Sequence, residues 1–415
     1  MNGPKLSTMA WRNLGRNRRR TLITLASIAF GGFLTVMFTA LQDRSFADFI
    51  DTAARLGGGH VTVQHPDYQD MPSLSLTVPD VERVRRLALT LVGAKRATPR
   101  ITGQALVASG DDNSAAMVIA YDPALEDGST LSLLDGLVAG TLFSTASDEG
   151  VILGKTLAER LAVKLGDRLV YTLTDKRGNL VSGMGRLRGI VSVGTPSVDG
   201  SLMMLPLDTL RRVLGYGPRE ASQVCVFLDD SRSSGRAAEV LDAAVRPVSR
   251  ALTWEEIRPE LSAFIAMKIG GARFMELVIL VLVAAGIFNT LLVSVMERSR
   301  EFGIMMAIGF TRGQLFRLVL WESLWLGLLG LALGAVLTVG PYHYLAHTGV
   351  DLSAMTGKGG SEVAGVGFDP LVRVGIYPEH LLAICVILLL VTLVTGLYPA
   401  QRAGRLEPVA AIKLV

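Results

Sequence analysis

The sequence predicts an α-helical membrane protein with four transmembrane helices and a large α+β extracytoplasmic domain inserted between helices 1 and 2. Three observations carry this expectation. Half of the 415 residues are apolar, which is high for a soluble chain with a long polar stretch. The apolar residues concentrate in four runs, at 21–43, 271–296, 317–343 and 380–399. At about 1.5 Å per residue, roughly 20 helical residues cross about 30 Å of hydrocarbon. Between the first and second runs, residues 44–270 are polar and mixed, with alternating segments that read as strands.

Charge sets the orientation. The chain has 41 basic and 37 acidic residues, a net charge of +4. The basic residues sit beside the apolar runs, so the excess does not point to nucleic acid. Arg298, Arg300, Arg312 and Arg317 flank the loop between the second and third runs, and Arg402, Arg405 and Lys413 follow the fourth. The loop at 344–379 holds Lys358 and Arg373 against Asp351, Glu362, Asp369 and Glu379. This is the positive-inside asymmetry, and it puts both termini in the cytoplasm.

In chain order, residues 1–20 read as a cytoplasmic amphipathic helix. Leu6, Met9, Ala10, Trp11 and Leu14 form its apolar stripe, with Lys5, Arg12, Arg16, Arg18, Arg19 and Arg20 around it. The 21–43 run is longer than a signal-peptide core and is followed by no clear cleavage site, so it reads as an uncleaved span. Arg44 to Leu56 continue that helix outward. Strands are expected at 105–108, 116–120, 150–153, 168–173, 187–193, 201–205 and 223–228, and helices at 79–91, 156–162, 207–214 and 235–245. They make up an extracytoplasmic domain in two lobes. The spans 271–296, 317–343 and 380–399 follow. They are separated by a cytoplasmic segment at 297–316 and an outer loop at 344–379, Gly-rich from 357 to 367. Residues 400–415 form a cytoplasmic C-terminus.

Candidate chemistry is sparse. Gly150-Val-Ile-Leu-Gly-Lys-Thr156 approaches a phosphate-cradling loop but has three residues between its glycines where the motif needs four. Strand, turn and helix is the competing reading. His343 and His347 are spaced i, i+4, but Tyr344 stands where a zinc protease needs Glu. No nucleophile elbow stands out, and the five histidines make no metal set. Cys225 and Cys385 fall in the polar domain and an apolar run, which argues against a disulfide. Glu276 and Glu322 lie within or near spans. Each is expected to reach the interface or to pair between subunits, with Arg273 and Arg317 as candidate partners. Gly327, Gly330 and Gly334 form a close-packing face in the third span, with a weaker signal at Gly31 and Gly32.

The stretch with functional content is 297–316. Its charges come first, and an apolar stripe of Ile304, Ala307 and Ile308 follows at i, i+3, i+4 spacing. Gly309 and the Phe-Thr-Arg-Gly after it read as a helix stop and turn. A short helix held between two spans can dock a soluble partner; a basic loop that only fixes orientation is the competing reading.

Glu297-Arg298-x-Arg300-Glu301-Phe302-Gly303-Ile304-Met305-x-Ala307-Ile308-Gly309-x-Thr311 resembles the coupling segment of FtsX-like ABC transporter permeases, a superfamily that includes the MacB and LolC/LolE types. Ala10-Trp-Arg-Asn-Leu-Gly-Arg-Asn-Arg-Arg-Arg-Thr21 is similar to the opening of these proteins, and 398–412 to their C-terminal end. Residues 118–123 and 151–167 resemble their periplasmic domain. In length and domain layout the chain looks most like the lipoprotein-releasing LolC/LolE subunits. The resemblance implies a multi-pass bacterial inner-membrane subunit with its large domain in the periplasm. It implies that the chain is not itself an enzyme and binds no cofactor, with ATP and Mg²⁺ held by two copies of a separate ABC ATPase. It further implies a second permease, identical or paralogous, and work done outside the membrane by mechanotransmission. The implied task is lipoprotein release toward the outer membrane, with a periplasmic carrier. MacB-like efflux of peptides or small amphiphiles, and FtsX-like control of a cell-wall hydrolase, are the alternatives.

Overall fold

A computed structural model describes residues 3–16, 18–110, 112–351, 362–363, 366–367 and 371–404. The C-terminal stretch from 405 on, with Arg405 and Lys413, lies outside them, as does most of the Gly-rich outer loop, with Lys358 and Asp369. The chain divides into two compact units. One comprises Met1–Ser45, Met267–Val350 and Leu371–Val415, the other Phe46–Ala266 and Asp351–Pro370.

The N-terminal helix α1 (Gly3–Arg16) is followed by α2 (Arg18–Ala53). Helix α2 is longer than its apolar run because nothing between Arg44 and Ala53 breaks a helix, and extending one costs far less than nucleating one. It ends in a π-turn at Ala54–Gly58. Gly59 follows with φ of 75°, where a Cβ would lie 2.8 Å from the Val226 carbonyl oxygen.

The second unit then builds its sheet from β1 (Val61–Gln64), β2 (Ala94–Ser109), β3 (Asp112–Tyr121), β4 (Leu137–Gly140), β5 (Gly150–Gly154), β6 (Arg168–Thr174), β7 (Leu180–Val191), β8 (Leu202–Pro206), β9 (Gln223–Leu228) and β10 (Arg250–Thr253). Helices α3 (Val81–Leu89), α4 (Lys155–Arg160), α5 (Pro196–Asp199), α6 (Leu207–Leu214), α7 (Ser234–Val245) and α8 (Trp254–Ile257) are interspersed. Two lobes share one strand. The order β10-β1-β9-β2 is an antiparallel sheet against which α3 and α7 pack. The second half of β2 enters a ring, β2-β3-β8-β5-β7-β6, which closes because β6 pairs with both β7 and β2. Closure removes the free edges that a sheet would otherwise expose. Only 105–108 of β2 shows strand alternation, because Lys95, Arg96, Pro99 and Arg100 interrupt it.

Arg100 explains part of that interruption. Its side chain is fully buried and grips Glu126 through both terminal oxygens, at 2.6 and 2.9 Å. It also donates to the carbonyls of Gly57 and Thr130 at 2.8 Å. Gln223 and Cys225 donate to the same Gly57 carbonyl. The π-turn is thus tied into β2 and β9. Burial pushes the Cys225 thiol up to about 12. The Gly150–Gly154 segment is a buried strand between β7 and β8 that runs straight into α4, so its amides belong to the sheet and not to a phosphate cradle.

The chain returns through α9 (Pro259–Glu297), α10 (Ser299–Ala307), α11 (Arg312–Thr348) and α12 (Pro378–Gly404). Four helices, beginning at Arg18, Pro259, Arg312 and Pro378, are long and apolar enough to cross a membrane. The first and second therefore enclose the whole α+β domain in sequence. In the helical unit, a Cβ on Gly330 would collide with Ile28, and one on Gly334 would lie 3.1 Å from the Ala29 carbonyl oxygen. Both glycines let α11 approach α2, whereas Gly327 faces Leu389 and Thr392 of α12. Gly31 admits Val283 of α9 in the same way.

Candidate coupling site

Residues 297–316 are not one element. Glu297 ends α9, Ser299–Ala307 form α10, and Gly309 turns the chain with φ of 102°. Thr311 then caps α11, its hydroxyl receiving the Gln314 amide while the Gln314 side chain receives the Thr311 amide. Residues 312–316 therefore belong to the third membrane helix.

Helix α10 has two faces of different character. Phe302 is completely buried among Ala10, Val295, Leu315, Leu318, Ala400 and Ala403, which come from α1, α9, α11 and α12. Gly303 beside it is buried too. On the other side, Ile304 is 50% exposed and Ile308 is 73% exposed, with Ala307 exposed between them. Met305 is half-buried against the Phe302 cluster. The apolar stripe is thus presented outward, while a different apolar residue anchors the helix.

The charges at the start of the segment are engaged within the chain. Arg298 places Nη1 3.0 Å from both oxygens of Glu322 and Nε 3.2 Å from Glu301. Its guanidinium also lies over the Phe302 ring, 5.2 Å from the centroid. Glu301 receives Arg16 at 3.2 Å, Glu322 receives Asn13 at 2.6 Å, and Glu297 pairs with Arg20. Arg300 is exposed. Trp11 and Trp325 add an edge-to-face contact at 5.0 Å. The N-terminal helix, the α9–α10 junction and α11 are therefore joined by one polar network. Glu322 is only 7% exposed. The expected pairing between subunits is corrected: its partners are Arg298 and Asn13 of the same chain, not Arg317. Glu276 accepts from the Thr39 hydroxyl at 2.8 Å, an intrachain contact likewise. Asn13, Arg16 and Arg20 were not legible as partners of this segment, since Arg20 and Glu297 stand 277 positions apart and no local spacing links them.

Nothing in this arrangement is a catalytic set. His343 and His347 stack edge-on, 4.4 Å apart between ring centroids. Among the described residues no three His, Cys, Asp or Glu side chains converge as metal ligands.

Residues 21–244 match the family of MacB-like periplasmic core domains, and residues 273–408 match the FtsX-like permease C-terminal family. The chain is 26% identical, over 97% of its length, to the macrolide export ATP-binding/permease protein MacB of Nitrobacter winogradskyi, covering 59% of that protein. It is also 26% identical, over 97% of its length, to the pyoverdine export ATP-binding/permease protein PvdT of Pseudomonas syringae pv. tomato, covering 58% of it. Against the lipoprotein-releasing system transmembrane protein LolC of Haemophilus influenzae it is 22% identical over 63% of this chain and 64% of that one. The chain thus spans about three-fifths of the length of these relatives. The periplasmic region of MacB from Actinobacillus actinomycetemcomitans is similar over 52% of this chain and 98% of that one, at 14% identity and a TM-score of 0.36. With four apolar helices, a MacB-like core domain and an FtsX-like C-terminal half, the chain belongs to the multi-pass ABC transporter permeases of the MacB/LolC type.

Proposed function

We propose that α10 is the surface on which an ABC ATPase acts, and that the chain converts ATP-driven closure of two ATPase subunits into movement of its extracytoplasmic domain. The carrying observation is the outward Ile304, Ala307 and Ile308 stripe on a helix whose opposite side is anchored by Phe302. An exposed apolar patch on the cytoplasmic side of a span fits a soluble partner, and the ion network spreads any push on α10 to α1 and α11. In this reading Glu297, Arg298 and Glu301 transmit force rather than touch the ATPase, while Arg300, Ile304 and Ile308 make the contact. Both termini are cytoplasmic, the large domain is periplasmic, ATP and Mg²⁺ stay on a separate ATPase chain, and a second permease completes the assembly. The domain must hold substrate differently in two arrangements, or ATP could drive nothing.

For the substrate, the likeness over 97% of the chain to MacB and PvdT favours export of a peptide or small amphiphile from the periplasmic side of the inner membrane. Lipoprotein release toward the outer membrane is the second reading, supported by the likeness to LolC over 63% of the chain. Hydrolase control, as in FtsX, gains no support from any named relative. Ile304→Asp with Ile308→Asp is expected to lower substrate-stimulated ATPase activity of the reconstituted complex about tenfold, as loss of a central apolar contact does. Membrane insertion is expected to be unchanged. Full stimulation by the double variant would remove α10 as the contact. Retention of an adaptor protein by the tagged chain in mild detergent supports export, and retention of lipoproteins supports release.

A further inference from the structure

We propose that the junction of α1, α2 and α9 holds the phosphate group of a membrane phospholipid. A cavity of about 210 Å³ opens there, lined by Asn13, Arg16, Arg20, Ser294, Arg298 and Glu322 among others. That is several times the share of liquid volume taken by one water, about 30 Å³. Its donors exceed its acceptors. The carboxylates of Glu301 and Glu322 are occupied by Arg16, Arg298 and Asn13, and Glu297 is occupied by Arg20. Arg20 Nη1 and Arg298 Nη2 remain as buried nitrogens without a hydrogen-bond acceptor in the described chain. Both arginines line the cavity. Burying a charged donor without an acceptor is costly. An anionic oxygen cluster held in the cavity would offer acceptors to both guanidiniums.

The position selects the anion. Arg20 immediately precedes the apolar run that begins at Thr21, and Arg298 immediately follows α9. Both therefore stand at the depth of the headgroups at the end of their spans. Arg12, Arg16, Arg18 and Arg19 are exposed around the site and add to its positive potential. The bilayer supplies phosphodiesters there at high local concentration. A fork of two N–H groups on each guanidinium matches phosphate oxygens better than a single ammonium does. The inference needs only that these helices lie in a bilayer; it is independent of the ATPase and of the substrate.

The test uses the full-length chain, purified in detergent, stripped of lipid and titrated while native mass spectrometry reads occupancy. The probes are phosphatidylglycerol, a diacylglycerol with the same acyl chains, and inorganic phosphate. One phosphatidylglycerol per chain is expected, with little diacylglycerol. Arg20→Gln is expected to weaken phosphatidylglycerol binding about tenfold, the effect of losing one charge-assisted hydrogen bond. Arg20→Lys keeps the pairing with Glu297 but loses the fork, so it is expected to weaken binding less; it serves as the readout if Arg20→Gln does not fold. Inorganic phosphate that competes as strongly as the lipid would move the site from lipid to free phosphate and overturn the lipid assignment. Equal phosphatidylglycerol occupancy in the wild type and both variants, or equal binding of diacylglycerol, would overturn the site itself.

Discussion

The Arg100–Glu126 pair is the residue-scale feature with the sharpest consequence. Both side chains are fully buried, so neither charge is screened by water and each depends on the other. Arg100→Met leaves a carboxylate uncompensated in the core and is expected to cost about 3–5 kcal/mol. Adding Glu126→Leu removes that stranded charge. The double variant is expected to stay about 1–3 kcal/mol below the wild type, because the Gly57 and Thr130 carbonyls still lack the guanidinium donors. Unfolding of the purified full-length chain, followed spectroscopically in denaturant, checks both values. A single variant as stable as the wild type would mean that the pair contributes little. The same residues hold the π-turn that ends α2, so the double variant also reports how firmly that turn is fixed.

At the scale of elements, the turn between α10 and α11 depends on Gly309. Its φ of 102° lies where a side chain strains the backbone, at a cost of about 1–3 kcal/mol. Gly309→Val is therefore expected to release the C-terminal end of α10, seen as roughly tenfold faster hydrogen exchange of the α10 amides. Gly309→Asn, whose side chain tolerates positive φ better, is expected to do so less. Unchanged exchange in both would mean that the Phe302 cluster alone fixes α10. This stop was legible because glycine after an apolar stripe is a local signal. Helix α6 was legible for the same reason: Leu207, Leu210 and Leu214 mark its buried face, and its observed bounds, Leu207–Leu214, coincide with the expectation. The strand β9 was legible as well, and its observed bounds, Gln223–Leu228, coincide with the expectation. What escaped was non-local. Only part of β2 could be read, since Arg100 looks like a surface residue until Glu126 is placed beside it. The short strands β4 and β10 carry too little pattern. The closing of β6 onto β2, and the partners of Glu322, depend on residues far apart in sequence.

At the scale of the whole molecule, α9 poses the remaining question. Its inner face is held by Ile287, Leu291 and Val295. Phe274, Leu277, Val278, Val281 and Leu282 are exposed at i, i+3, i+4, i+7, i+8 spacing, with Phe274 and Leu282 each 67% exposed. Lipid alone could cover such a stripe, because lipid chains are as apolar as leucine. The permease pairing proposed above nevertheless needs one face of the helical unit, and α9 has a property that α11 and α12 lack. It starts at Pro259, within the sequence of the second unit, and runs unbroken to the residue before Arg298. A pair formed along α9 would bring together the helices that lead directly to the α10 network. With Cys385 replaced by Ala and Cys225 left buried, Leu282→Cys is expected to give a crosslinked dimer on oxidation in membranes. Val339→Cys on α11 and Val394→Cys on α12, at positions 67% and 62% exposed, are expected to remain monomeric. A dimer from α11 or α12 with none from α9 would move the pairing face to those helices and separate it from the path to α10.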